Sequence, residues 1–168
     1  MPQKSTLQLI LNSQFTKVQD LSTAKDLLNF KKIFQILDGI GAGKAESIFH
    51  DQRTITASGN EDLDLSGVLL DVFGAAITFT KMKGIIVFAA VGNTNNVLVG
   101  NSGVNGFINW VSDTTDQLVV KPGGIFLLYD PTVGGYGVTA ATGDLLKITN
   151  SGAGTSVTYD IILIGETS

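Results

Sequence analysis

The stretch VTYDIILIG, residues 157–165, changes character halfway along. Over its first half the pattern alternates. Val157, Tyr159 and Ile161 fall on one face of an extended chain, and Ser156, Thr158 and Asp160 on the other, because successive strand side chains point to opposite sides. The second half, IILI, is apolar at every position, the pattern of a strand covered on both faces. A single strand therefore starts half-solvated and ends enclosed. The cover over its outer face is expected to be either a flanking segment of the chain or a neighbouring subunit.

Outward from this strand the same kind of run recurs. Strands are predicted at 7–12, 32–37, 47–57, 61–67, 78–91, 96–101, 106–111, 116–120, 124–130, 136–140 and 144–150, with turn signals between them. KPGGI, 121–125, places Pro122 and Gly123 where a type II turn needs a fixed φ and then a positive one. NSGAGTS, 150–156, predicts a hairpin joining 144–150 to 157–165. Helical signals are few. DLSTAKDLLNF, 20–30, with Ser22 or Thr23 as cap, predicts about two turns of helix, and LLDVFGAA, 69–76, predicts one more turn. Many short strands with regular punctuation, and no helix alternating with them, predict an all-β fold, an antiparallel β-sandwich. The expected division is an N-terminal arm or additional strands over residues 1–46 and a sandwich domain over 47–168.

Composition narrows the function classes. The chain has 168 residues, of which 43% are hydrophobic and only 15% charged, against roughly 25% charged in an average soluble domain. Such a charge-poor surface suits contact with other protein. The net charge of −4 and the lack of any basic cluster argue against nucleic acid as a partner. With no cysteine, disulfides and thiolate metal sites are excluded. The N-terminal residues are too weakly patterned for a signal peptide. The longest apolar run, 84–92, is too short for a membrane helix, so no membrane partner is expected.

The stretch DGIGAGKA, 38–45, suggests a phosphate loop. However, Asp38 stands where the first glycine should be, and Ala45 where a magnesium-binding Ser or Thr is required. With strand-like residues on both sides and no helix following, it is expected to be a flexible hairpin loop with Lys44 at its tip. His50, the single histidine, shares a strand face with Gln52 and not with Asp51, so no catalytic pair is predicted there. Asp62 and Asp64 could help hold calcium, but their spacing does not match a calcium loop. Phe107, Trp110, Tyr129 and Tyr136 could stack on a sugar, although core or interface positions are their commoner fate. Asn93, Asn95, Asn96, Asn101, Asn105 and Asn109 suit loop tips and wet protein contacts. No catalytic, cofactor-binding or metal-binding residue is nominated, and neither an enzyme activity nor a cofactor is expected.

Four segments, taken in order, resemble a known group: FHDQRTITASGNEDLDLSG at 49–67, AITFTKMKGIIVFAAVGNTNNVLVG at 76–100, VVKPGGIFLLYDP at 119–131, and GYGVTAATGDLLKITNSGAGTSVTYDIILIG at 135–165. Their succession looks like that of tailed-bacteriophage virion structural proteins of the capsid decoration, or cement, type. That resemblance covers roughly residues 47–165. It implies a jelly-roll sandwich on the outer surface of the phage head, after assembly in the host cytoplasm. The implied partners are the major capsid protein and further copies of the chain, as a homotrimer. Residues 1–46 lie outside the resemblance and would grip a neighbour. Tail or head-fibre components and carbohydrate-binding modules are the rival readings.

Overall fold

A computed structural model describes residues 3–168. Its strands are, in chain order, β1 (Lys4–Val18), β2 (Thr23–Asp38), β3 (Lys44–Ala45), β4 (Ser47–Ile55), β5 (Asn60–Asp64), β6 (Lys81–Ala89), β7 (Val97–Gly100), β8 (Gln117–Val120), β9 (Ile125–Tyr129), β10 (Tyr136–Gly137), β11 (Leu145–Asn150) and β12 (Val157–Glu166). No helix occurs among the described residues, and the fold is all-β. Three sheets form. The first has order β1-β2-β3, the second is built on β10-β6-β12-β4 with β9 also on β6, and the third runs β5-β11-β7-β8.

The strand 157–165 lies at the centre of the second sheet, antiparallel to β4 on one side and β6 on the other. Its inward residues Val157, Tyr159, Ile161 and Leu163 are buried. They share one core with Ile85 and Val87 of β6 and with Val99, Leu146 and Ile148 of the third sheet. Two sheets thus enclose a common apolar interior, the main source of stability in a chain of this kind. Where the pattern turns apolar on both faces, the expected cover is present. Ile164 packs outward against Ile36 of β2 and Ala45 of β3, so a flanking segment and not a second subunit encloses it.

Several expectations are corrected. The helix predicted for 20–30 is absent. Gln19 N–H bonds to Ser22 O at 2.8 Å to close a turn, and from Thr23 the chain extends as β2, each residue paired with β1 through Lys4↔Leu37. A ladder of this length outweighs the weak helical preference of AKDLLNF. The helical turn expected at 69–76 is a small hairpin, in which Asp71 Oδ1 accepts from Phe73 N at 2.8 Å and Ala75 N at 2.9 Å. Residues 106–111 form turns around the buried Phe107 and not a strand. The segment 150–156 is no hairpin, because β11 and β12 belong to different sheets. The KPGG turn is flanked by strands as expected, with Gly123 at φ 74°, and it also carries the chain from one sheet to another.

Candidate functional site

β1 and β2 form a hairpin that lies largely outside the core. Leu9, Ile10 and Leu11 are 53%, 51% and 55% exposed, and Phe15 is 71% exposed. The register divides it into two unlike faces, since directly paired residues share a side. Leu7, Leu9, Leu11 and Phe15 of β1 lie on the same side as their cross-strand partners Phe34, Lys32, Phe30 and Asp26. Leu28 and Ile36 of β2 extend this side. The opposite side pairs Thr6 with Gln35, Asn12 with Asn29 and Thr16 with Lys25, and intersperses Ile10, Leu27 and Ile33 among them. Only the root of the apolar side is covered. There Ile36 is 1% exposed, and the Phe34 ring meets Tyr129 of β9 at 5.0 Å between centroids. Further out, Lys32 Nζ lies 5.9 Å from the Phe30 ring centre, and the leucines face solvent.

The root is tied down by the glycine loop 38–45. This loop is not the simple hairpin expected, since β3 returns parallel to β2 through Leu37↔Lys44 and Asp38↔Ala45. Gly43 N–H donates to Pro131 O at 2.8 Å and Glu46 N–H to Gly165 O at 2.9 Å. Gly39, Gly41 and Gly43 all take positive φ, a conformation that costs glycine little and other residues more. The loop does hold an anion, but it is one supplied by the chain. Gly41 N–H donates to Glu166 Oε1 at 2.8 Å.

Glu166 is fully buried, and its carboxylate lies 3.1 Å from Lys81 Nζ and 3.1 Å from Lys83 Nζ. Lys83 is itself buried and also donates to Thr132 O. Burial by itself pushes the Glu166 carboxyl up, but the Gly41 amide and the two ammonium groups outweigh it and hold the carboxyl below its ordinary value of 4.5. The site joins the arm loop, β6 and the end of β12 at one charge. Lys44, by contrast, is exposed.

The other nominated residues are scattered. His50 is exposed on the outer side of the second sheet, opposite Ile162, while Gln52 on the same side donates to Asp160 Oδ1 at 2.8 Å. Arg53 faces the other way, 2.7 Å from Glu61 Oε2. The buried Tyr159 hydroxyl donates to Glu61 Oε1 at 2.8 Å, and burial followed by that carboxylate drives its pKa far above the ordinary 10.0. Asp64 accepts from Ser66 N at 2.9 Å, and Ser66 Oγ reaches Asp144 Oδ2 at 2.5 Å. Among the described residues no group of three or more His, Asp or Glu is placed to hold a metal. The four aromatics are not gathered on one surface. Phe107 is buried, Trp110 lies against Phe126 at 5.5 Å, Tyr129 meets Phe34, and Tyr136 packs on the core.

Two of the asparagines act as internal fasteners. Asn93 brackets Thr158, accepting from its N–H and donating to its carbonyl, both at 2.8 Å. Asn95 donates to Asn150 Oδ1 at 3.0 Å. The buried Asn150 bonds to Thr56 O at 3.0 Å and Thr155 O at 2.8 Å, organising the crossing loop. Sequence reasoning missed Glu166, Lys83 and Asn150, whose only signal is a polar residue within or at the end of an apolar run. No family model, curated protein or solved structure matches the chain.

Proposed function

We propose that the chain is a structural protein of a tailed-bacteriophage virion, a decoration protein. On this reading it binds the outer surface of the head and stabilises contacts between major capsid protein subunits. The observation that carries the reading is the hairpin arm. A two-stranded ribbon is marginal by itself in water, yet this one presents Leu9, Leu11 and Phe15 to solvent along a side continuous with its buried root. Exposed apolar surface on that scale marks a protein contact. The low charge of 15% supports the same reading, as does the resemblance of the four segments, in their order, to those of decoration proteins. The two sheets around one core would then be the jelly-roll sandwich of that group, and the arm the part that grips a neighbour. A cement subunit needs only a modest interface per contact, since many copies act together.

The test uses heads purified without the protein. Added wild-type chain is expected to raise the temperature at which heads release DNA, and a variant carrying Leu9→Asp and Leu11→Asp is expected to lose most of that gain. No rise with the wild-type chain would overturn the proposal.

A further inference from the structure

The hairpin arm has two long edges, and the sequence treats them differently. Among the described residues no strand pairs with the outer edge of β1, and β2 is met on its outer edge only at the root, by β3. A free strand edge is a row of unpaired backbone groups open to another strand, and folds ordinarily blunt such rows with charge or proline. β2 follows that rule, with Lys25, Asp26, Lys31 and Lys32 along it. β1 does not, since from Ser5 to Thr16 it holds no charged residue, no proline and no glycine. The direction of the free groups follows from the ladder. Leu37 N–H donates to Gly43 O, away from β1, so Leu37 and its partner Lys4 form a pair that exchanges no backbone bonds. The register runs without a shift to Val18↔Thr23. Every even-numbered residue of β1, from Lys4 to Val18, therefore turns its N–H and C=O to the open side. Gln3 and Gln19 direct theirs the other way, to Asp38 Oδ1 and Ser22 O.

We infer that this edge pairs with the same edge of a second copy, β1 against β1, antiparallel about a two-fold axis at Leu11. Two arms then become one four-stranded sheet. Length favours a second copy, because β1 has 15 residues and the outermost strands of the other two sheets have nine or fewer. Full overlap of Lys4–Val18 with itself centres on Leu11, and in that register the faces match. Leu7 lies opposite the partner's Phe15, Leu11 opposite its own counterpart, and Gln8 opposite the partner's Gln14. Lys4 falls opposite Val18 and Lys17 opposite Ser5, so no like charges meet across the pair. The pairing satisfies the open groups of both copies with about sixteen hydrogen bonds. It also supplies what each arm lacks, since a two-stranded ribbon is marginal in water and a wider sheet with an apolar side is not. Pairing β1 with β2 of the next copy instead would repeat without closing, as fibres do, and the charges along β2 guard against it. The two-fold pairing closes after two copies and leaves the apolar side of the joined arms free for a further contact.

The inference goes beyond the decoration reading, and its test needs no heads. Native mass spectrometry of the full chain at micromolar concentration is expected to show a dimer. Asn12→Pro deletes an N–H of the open edge and no bond to β2, a place where a strand tolerates proline, and this variant is expected to be monomeric. Asn29→Pro makes the same change directly across the ladder, on the guarded edge of β2, and is expected to stay dimeric with the circular dichroism of the wild type. The register has its own readout in a chain that has no cysteine. Leu11→Cys places two thiols across the axis, about 4.5 Å apart at Cα, and a mild oxidant should link them into a covalent dimer. Thr16→Cys, about 34 Å from its counterpart, should stay unlinked. A monomeric wild-type chain, a dimer that survives Asn12→Pro, one lost equally in Asn29→Pro, or a Leu11→Cys dimer that does not cross-link would overturn the pairing. A monomer that still stabilised heads would remove only this inference and leave the decoration proposal standing.

Discussion

Glu166 carries its charge where no water reaches it, held by one amide and two ammonium groups. Removing one member of such a buried set strands the others. Glu166→Gln is expected to cost about 3 kcal/mol near neutral pH, because Lys83 is left buried without a counter-charge; urea unfolding at pH 7 measures it. The carboxyl is held below 4.5 in the fold, so its contribution is fully present above that value. It is lost as pH falls through the lower, folded value. The difference between wild type and Glu166→Gln should therefore narrow as unfolding is measured further below pH 4.5. Asn150 offers a second test at this scale. Its amide bonds to carbonyls on both sides of a sheet crossing, and Asn150→Leu, which leaves them unpaired, is expected to lower stability by about 2 kcal/mol in the same experiment. Neither residue could be singled out in the sequence. The groups that define them lie 125 residues away at Gly41 and 94 away at Thr56, and no local pattern records such a meeting.

The hairpin arm shows what local patterns can and cannot convey. Its apolar runs at 7–12 and 32–37 were legible as strands, since alternation survives without knowledge of the partner. The segment 20–30 was not, because Ser22, Thr23 and the leucines also fit a helix start. The choice was made by a ladder to residues 4–18, which local propensity does not contain. The glycine loop was misread for a related reason. Glycines signal a reversal, but the parallel return of β3 and the bond to Glu166 depend on parts of the chain far away. Two measurements probe the arm directly. Leu11→Ser is expected to change the stability of the folded core by less than about 0.5 kcal/mol, since the side chain is more than half exposed and its cross-strand partner Phe30 belongs to the arm and not to the core. Amide hydrogens of residues 9–30 should exchange quickly in monomeric chain and become protected on assembly. Equal exchange in both states would show that the arm gains no partner.

At the scale of the whole molecule, the central strand β12 joins parts of the chain that are far apart in sequence, pairing with β4 from Ser47 and with β6 from Lys81. Loop closure over such separations is slow, so refolding, followed by the fluorescence of the single Trp110, is expected in milliseconds to seconds and not faster. The all-β class and the double cover of IILI could be read from the sequence, because burial on two faces leaves its mark on consecutive residues. The assignment of strands to sheets could not, because turns such as 121–124 and 150–156 look alike whether they join neighbours or cross between layers. One consequence concerns distance. With its root fixed by Glu166 and its length fixed by the register of two paired strands, the arm that we propose grips a neighbour is a ruler, and on that proposal the spacing between the chain and its neighbour is set by a count of residues. Adding two residues to each strand should lengthen it by about 7 Å with the same side still apolar, whereas adding one should turn that side away. Imaging of assembled particles would show a widened spacing in the first case and no assembly in the second.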